Sequence, residues 1–339
     1  IASFDQQTDQ TLITSFSEAL PNDVKQSLVV IVKLIELDIR LGHFKKALEQ
    51  CQSLLPLFNQ HTALCHLATV CYFMMRDFDK VVSFAADNEL QPETEIFVAR
   101  ALYMLGELDL AIARIENCQL KTAESVGVLA MLYCDSGDLA QAQTAASQAL
   151  QADASQFEAC LAQAICALQH QQVEEAKPYL SICLKQQPKN GRVLSLWGQV
   201  QLSEYQIEQA ISSFEEALKT MAEHIGTWHL LGWCYILQHK YDAAEKAFNQ
   251  SLHIDRSFDE THGALACIKA HQGDLSAATE LAGKALRLNR RCYSARYAQS
   301  LTLKAQGDET GAKQLIDNLL NEESPTVSRS FISLIQARS

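Results

Sequence analysis

A 34-residue recurrence is the feature of this sequence that most limits its fold. It is marked by alanines separated by five equal steps of 34 residues: Ala142, Ala176, Ala210, Ala244, Ala278 and Ala312. Three earlier residues, Ala47, Val81 and Ala111, extend the series with two shorter intervals of 30 and 31 residues. A period of about 20 to 50 residues indicates a repeat protein, in which each unit buries its apolar face against its neighbours. The nine marker residues predict nine units.

Glycines support the same register. A glycine lies five residues before the marker in five units: Gly42, Gly106, Gly137, Gly273 and Gly307. In the last three an aspartate follows the glycine directly. Because glycine tolerates a left-handed backbone, it favours a helix end, and the aspartate favours the start of the next helix. The marker is then a small residue on a second helix that packs closely against the first.

The apolar residues inside a unit recur with a helical period. In the stretch 227–252, Trp228, Leu231 and Tyr235 share one helix face, and Ala244 and Phe248 share another. Each unit is therefore predicted to form two antiparallel helices.

The same stretch carries a more specific motif, made of these residues together with one glycine: Trp228, Leu231, Gly232, Tyr235, Ala244 and Phe248. It resembles the signature of the tetratricopeptide repeat (TPR) family, and the resemblance covers about residues 28–326. It implies an all-α fold, a right-handed α-solenoid of about nine helix pairs.

The chain is predicted to divide into four parts. Residues 1–27 form an N-terminal cap segment, 28–122 three degenerate units, 123–324 six regular units and 325–339 a C-terminal capping helix. The shortened intervals near 88–122 predict a change of pitch and two lobes.

Composition excludes several classes of function. The net charge of −12 argues against nucleic-acid binding, which requires a basic surface. No run of 18 uncharged apolar residues occurs, so direct membrane insertion is not expected. Eleven cysteines without a C-x-x-C pair favour a reducing compartment, the cytoplasm. Because the chain begins at Ile1, a periplasmic or membrane-anchored location through a missing N-terminal segment stays open.

The motifs of catalysis are absent from the sequence, which has no P-loop, no G-x-S-x-G and no H-E-x-x-H. The best metal candidate is the group His61, Cys65, His66 and Cys71, whose members do not share one helix face. We interpret its cysteines as core residues. We expect no enzyme, no cofactor and no metal.

The family resemblance implies that first-helix residues line a concave groove that binds a peptide or helix of another protein. Carried over unit by unit, the expected partner-binding residues form two apolar groups: His66, Val70, Phe73, Met74, Ile96, Arg100, Tyr103 and Met104 in one, and His229, Trp233 and Ile236 in the other. Aromatic residues, Met and Arg are enriched at the centres of protein interfaces.

These features predict a non-catalytic scaffold, adaptor or chaperone that binds an apolar or amphipathic partner segment. Two alternatives remain: an assembly factor of a bacterial envelope system, such as a pilus, polysaccharide export or secretion apparatus, and the repeat region of a larger enzyme. Self-association is left open.

Overall fold

The fold was taken from a computed structural model, which describes residues 28–58, 61–88, 90–119 and 121–322. Eighteen α-helices and one short 3-10 turn account for the regular structure of these residues, and no strand occurs among them. The helices form nine consecutive pairs, which confirms the predicted all-α fold of TPR-like helix pairs. The expected cap segment 1–27 and the capping helix 325–339 lie outside the described residues.

The chain forms two compact units, Ile1–Cys166 and Ala167–Ser339. The division falls inside the ninth helix, whereas the predicted division at residue 122 was drawn on repeat regularity and stays a prediction. The described helices of unit 1 are α1 (Leu28–Arg40), α2 (Phe44–Leu54), α3 (Thr62–Met74), α4 (Phe78–Asp87), α5 (Glu95–Met104), α6 (Leu108–Glu116), α7 (Ala123–Ser136), α8 (Leu139–Ala152) and most of α9 (Phe157–Gln169).

Unit 2 continues the same alternation of first and second helices. Its helices are α10 (Val173–Gln186), α11 (Gly191–Ser203), α12 (Ile207–Leu218), α13 (Ile225–Leu237), α14 (Tyr241–Ile254), α15 (Asp259–His271), α16 (Leu275–Leu288), α17 (Tyr293–Ala305) and α18 (Glu309–Asn321).

The marker residues lie where the repeat register predicts them. Each belongs to the second helix of its pair, and all nine are buried, with Ala312 the most exposed at 4%. A small side chain at this point lets the two helices of a pair approach closely. The core of unit 1 and that of unit 2 therefore run along the contacts between successive helices.

The tight turns between paired helices also follow the prediction. The glycines five residues before the markers all have positive φ, from 81° at Gly42 to 89° at Gly307. The aspartates that follow three of them, Asp138, Asp274 and Asp308, accept a hydrogen bond from a backbone amide in the first turn of the next helix. These carboxylates thereby satisfy amides that have no partner inside the helix.

The four remaining repeats make the same turn without glycine. Arg76, Gln171, Tyr205 and His239 occupy the equivalent position with φ between 58° and 61°. The turn is therefore imposed by the packing of the pair rather than by the residue, since a left-handed conformation costs a side-chain-bearing residue about 1–2 kcal/mol.

Candidate functional site

The second group of expected partner-binding residues lies inside the core of unit 2. His229 is 4% exposed, Trp233 0% and Ile236 3%, so the expectation that these side chains face solvent is wrong. Neighbouring helices cover them: His229 Nε2 lies 2.6 Å from Thr261 Oγ1 of α15 in the next repeat, and the ring of Trp233 meets Phe248 of α14 in the same repeat edge-on at 6.1 Å. His229 therefore links consecutive repeats, and Trp233 packs the two helices of its own repeat together.

His229 is the most strongly perturbed imidazole of this core. It meets Phe248 and Phe258 edge-on, each at 5.1 Å, and burial lowers the pKa of His229 to about 3. Ser251 Oγ extends the polar contact to Thr261 at 2.9 Å. The group of His229, Thr261 and Ser251 is therefore a neutral hydrogen-bonded contact between repeats. Mutual hydrogen bonding explains why these polar side chains are buried.

Part of the first group is also structural. Ile96 is buried at 5%, which corrects the expectation that it faces a partner. His66 Nδ1 lies 2.8 Å from Thr94 Oγ1, and its ring meets Phe97 edge-on. Burial also lowers the pKa of His66.

Two further members of the first group are half-buried. Val70 lies in α3, and the ring of Phe73 packs against Phe78 and Phe97 at 5.6 and 5.5 Å between centroids. The Phe73 contacts join α3 to α4 and to α5, so this side chain packs the three helices together.

Arg100 is occupied by carboxylates of its own unit. Its Nη1 lies 3.1 Å from Glu124 Oε1 and its Nη2 lies 2.6 Å from Glu158 Oε1, so the guanidinium links α5 to α7 and α9. Gln156 donates to the second oxygen of Glu158 at 2.6 Å. The expected cation of the site is therefore neutralised inside unit 1.

The remaining members of the first group are exposed and apolar. Met74 is 46% exposed, Tyr103 38% and Met104 49%, and their chain neighbours Met75 and Leu105 are each 38% exposed. We name these five residues the methionine patch. Met74 and Met75 end α3, and the other three end α5. Sequence reasoning missed Met75 and Leu105 because it followed the inner helix face and not the helix ends.

An alignment of the nine repeats shows how unusual the methionine patch is. Seven residues before each marker the chain carries, in order, Arg40, Met74, Met104, Asp135, Gln169, Ser203, Leu237, His271 and Ala305. One residue later it carries Leu41, Met75, Leu105, Ser136, His170, Glu204, Gln238, Gln272 and Gln306. Exposed large apolar residues occupy both positions only in repeats 2 and 3, since Leu237 is buried. This alignment is the sequence signal that could have found the patch.

Packing and capping account for the residues of the metal candidate group. His61 caps α3 by accepting from Ala63 N, and Cys65 and Cys71 are buried. A different trio, Asp259, Glu260 and Cys292, brings its ligand atoms within 4.8 Å of one another among the described residues.

Glu260 of that trio has a structural role. Its carboxylate accepts hydrogen bonds from Tyr293 N at 2.8 Å and from Ser294 Oγ at 2.5 Å, at the start of α17. Asp259 accepts from Asn289 at 3.0 Å. Helix capping therefore accounts for the Glu260 carboxylate, and a side-chain hydrogen bond from Asn289 occupies that of Asp259.

None of the helices described between residues 28 and 322 is long and apolar enough to cross a membrane. All eleven cysteines lie in the described part of the chain and are free thiols.

Two family models match the chain, both described as tetratricopeptide repeat, over residues 128–191 and 201–266. The chain carries tetratricopeptide repeats in these two regions. Both matches fall in the region where the sequence motif is most regular, and the degenerate repeats 1–3 that carry the methionine patch lie outside them. Proteins of this family serve in general as scaffolds that bind other proteins or peptides.

Solved structures are similar to this chain at low sequence identity. A chain of the APC/C hetero-tetramer Cut9–Hcn1 is 17% identical with a TM-score of 0.60; the match covers 86% of the present chain and 58% of the other. PilF of Pseudomonas aeruginosa is 18% identical over 64% of this chain and 97% of its own, with a TM-score of 0.47.

A third structure is YrrB, described as a tetratricopeptide repeat protein with an unusual peptide-binding site. It is 20% identical over 57% of this chain and 97% of its own, with a TM-score of 0.43. A search of curated proteins finds no match.

Proposed function

We propose that this protein is a non-catalytic scaffold, adaptor or chaperone that holds an apolar or amphipathic segment of a partner protein on the methionine patch. The observation that carries the proposal is the repeat alignment: at two adjacent positions, repeats 2 and 3 carry exposed methionine and leucine, where most other repeats carry polar residues. Single exposed apolar residues are ordinary on protein surfaces, whereas their repetition at equivalent positions requires a reason.

The chemistry of the patch suits a partner segment. Methionine is unbranched and adapts its shape to different side chains, so it is common on surfaces that bind several related sequences. Fully burying a methionine or leucine side chain contributes about 1.5–3 kcal/mol. Covering the exposed fractions of Met74, Met75, Met104 and Leu105, which are 38–49% of each side chain, therefore supplies enough energy for a specific but reversible contact.

The two units differ in a way that supports this assignment. Among the described residues, unit 2 exposes only Tyr205 and Leu288 as large apolar side chains, and they lie two repeats apart. Its counterparts of the patch are polar, small or buried. We therefore assign partner binding to unit 1 and a mainly structural role to unit 2.

The residues that could carry chemistry support a non-catalytic role. The perturbed histidines His66 and His229 make structural contacts between repeats. Burial raises the pKa of the thiols of Cys51, Cys71 and Cys234 to about 12, which keeps them protonated and unreactive. Free thiols throughout the chain also support a cytoplasmic location.

Site-specific photo-crosslinking in the source cells tests the proposal. A benzoylphenylalanine placed at Met104 should crosslink to a partner protein, and one placed at Leu288 should not, although both sites are about half exposed. The crosslink at Met104 should disappear when Met74 and Met75 are both replaced by serine. Equal crosslinking at both sites, or none at Met104, would refute partner binding at the patch.

A further inference from the structure

The turns of unit 1 carry an ordered sequence of charges along one edge. The first helices α1, α3, α5 and α7 pack against one another in that order. In tandem repeats the first helices run in the same direction, so their C-terminal ends and the turns that follow lie along one edge of unit 1. We name it the turn edge, and the methionine patch occupies its middle.

The charge of each turn follows from the seven residues before its marker. Segment 40–46 contains Arg40, Lys45 and Lys46 and no acid, a net charge of +3. Segment 74–80 has two cations and two carboxylates, which sum to zero. Segments 104–110 and 135–141 each carry two carboxylates and no cation, a net charge of −2. The turn edge of unit 1 is therefore positive at repeat 1 and negative at repeats 3 and 4.

The positive end is the unusual one. The equivalent segments of the other eight repeats carry between −2 and 0, and acids suit the start of the second helix because of its dipole. Asp79 and Asp109 stand in the first turns of α4 and α6, but Lys45 and Lys46 stand in that of α2. Helix formation therefore does not explain these lysines.

At least four of the charged side chains along the turn edge are available to a partner. Lys46 pairs with the buried Asp38 at 3.0 Å. Arg40, Lys45, Glu107 and Asp109 are exposed, and none of them takes part in an ion pair within the described ranges. A shallow surface depression lies at the positive end, lined by Gly42, His43, Phe44, Lys45 and Lys46.

We propose that the partner segment is amphipathic and dipolar, with carboxylates at one end, an apolar middle and cationic residues at the other end. This inference rests on the proposed function. The acidic end lies at Arg40 and Lys45, the apolar middle covers the methionine patch, and the basic end lies at Glu107 and Asp109 and extends toward the negative turn of repeat 4. Opposite charges at the two ends fix the direction of the bound segment, because the reversed arrangement brings like charges together.

The length of the segment follows from the helix spacing. Helices in contact lie about 8–10 Å apart, so three steps from α1 to α7 span roughly 24–30 Å. A helix of about 18 residues has this length. A shorter segment would reach the patch but only one charged end.

Three synthetic peptides of about 18 residues with the same apolar face test the charge pattern. One carries glutamates at one end and lysines at the other, the second lysines at both ends, the third glutamates at both ends. By fluorescence anisotropy with the full chain at about 20 mM salt, the dipolar peptide should bind about tenfold more tightly than either other. At about 0.5 M salt the three affinities should converge, because ions screen exposed charges.

Charge reversal should exchange the specificity. Arg40→Glu with Lys45→Glu should weaken binding of the dipolar peptide about tenfold and strengthen that of the lysine peptide. Glu107→Lys with Asp109→Lys should weaken the dipolar peptide similarly and strengthen the glutamate peptide. Lys284→Glu with Arg287→Glu, and Asp242→Lys with Glu309→Lys, make matched reversals at exposed sites of unit 2 and should change nothing.

The outcomes separate this inference from the proposed function. Binding of all three peptides with equal affinity, lost on replacing Met74 and Met104 by serine, would keep the patch as a docking site and overturn the dipolar partner. Absence of binding by every peptide would overturn both. Light scattering of the protein alone tests whether a second copy of the chain covers the patch. A dimer that dissociates on the same serine replacements would show that it does.

Discussion

The backbone of Gly232 in α13 lies directly against the ring of Phe248 in α14, and a β-carbon at Gly232 would stand 2.6 Å from Phe248 Cζ. The same relationship recurs one repeat earlier, where a β-carbon at Gly198 would stand 2.5 Å from Phe214 Cε1. Both phenylalanines are fully buried. The glycine of the family motif is thus a packing residue that makes room for the ring of the second helix.

Replacing Gly232 by alanine should therefore destabilise unit 2 by about 1–3 kcal/mol, because the added methyl group overpacks the contact with Phe248. Tryptophan fluorescence in urea measures this, since the three tryptophans, Trp197, Trp228 and Trp233, all lie in unit 2. Gly283→Ala is the matched control: its nearest neighbour is Arg287 Nη1 at 3.6 Å, so it should be neutral or stabilising by up to about 1 kcal/mol. Equal effects of both substitutions would contradict the packing argument.

The left-handed turn residues make a second prediction. Tyr205 adopts φ 61° where Gly307 adopts 89° in the equivalent turn. Tyr205→Gly should raise the free energy of unfolding of unit 2 by about 0.5–1 kcal/mol, since relief of the left-handed strain exceeds the extra chain entropy of glycine. Tyr205→Ala should give no such gain, because alanine keeps the strain. A stabilisation by alanine equal to that by glycine would assign the effect to loss of the exposed ring.

The repeat register could be predicted from the sequence because it depends on local rules. The marker alanines, the turn glycines and the Gly232–Phe248 pair each follow from the size or backbone freedom of one residue type. The left-handed turns at Gln171 and Tyr205 could not be predicted from residue type, since packing of the helix pair imposes a conformation that the residue itself disfavours.

The candidate site was predictable only in part, because exposure depends on distant residues. Trp233 and Met104 both lie on first helices of their repeats, yet Trp233 is buried and Met104 is about half exposed. What separates them is how the next repeat packs on each helix, as Thr261 does on the neighbouring His229. A helical wheel of one helix does not contain that information. The alignment of all nine repeats shows that Met74 and Met104 stand where most other repeats carry a polar residue.

The buried His229 predicts that unit 2 loses stability in acid. Its pKa is lowered to about 3 in the folded protein, against about 6.5 in an unfolded chain. Between these values the unfolded state binds more protons, so stability is fully present above pH 6.5 and falls as the pH decreases. Each pH unit below 6.5 costs about 1.4 kcal/mol, or about 2 kcal/mol at pH 5.

Thermal unfolding of unit 2 at pH 7.5 and pH 5 measures this loss. His229→Gln should be less stable at pH 7.5, because the ring contacts are lost, but should show a smaller decrease on acidification. Some decrease should remain, since burial also lowers the pKa of His271 and of His224. His253→Gln, at an exposed position of α14, should behave like the wild type. An unchanged acid decrease in His229→Gln would contradict the assignment to His229.

The thiols predict an order of chemical reactivity. Cys134 is the one cysteine of the eleven that is not buried, and its Sγ lies 3.9 Å from Ala162 O, on the turn of α9 that carries Cys166. A hydrogen bond with the Cys134 thiol lowers the pKa of Cys166, whereas burial raises that of Cys51, Cys71 and Cys234 to about 12. Because modification needs access of the reagent to the thiolate, Cys134, the accessible member of the pair, should be modified first.

Iodoacetamide labelling at pH 8, followed by mass spectrometry of the peptides over time, measures this order in the folded protein. Label should appear at Cys134 long before Cys51, Cys71 or Cys234, and urea should abolish the difference. Cys134→Ser should remove this early label and leave the buried thiols as slow as in the wild type. Early labelling of Cys234 in the native protein would show instead that the core of unit 2 opens readily, which the tight contacts of Trp233 and Phe248 oppose.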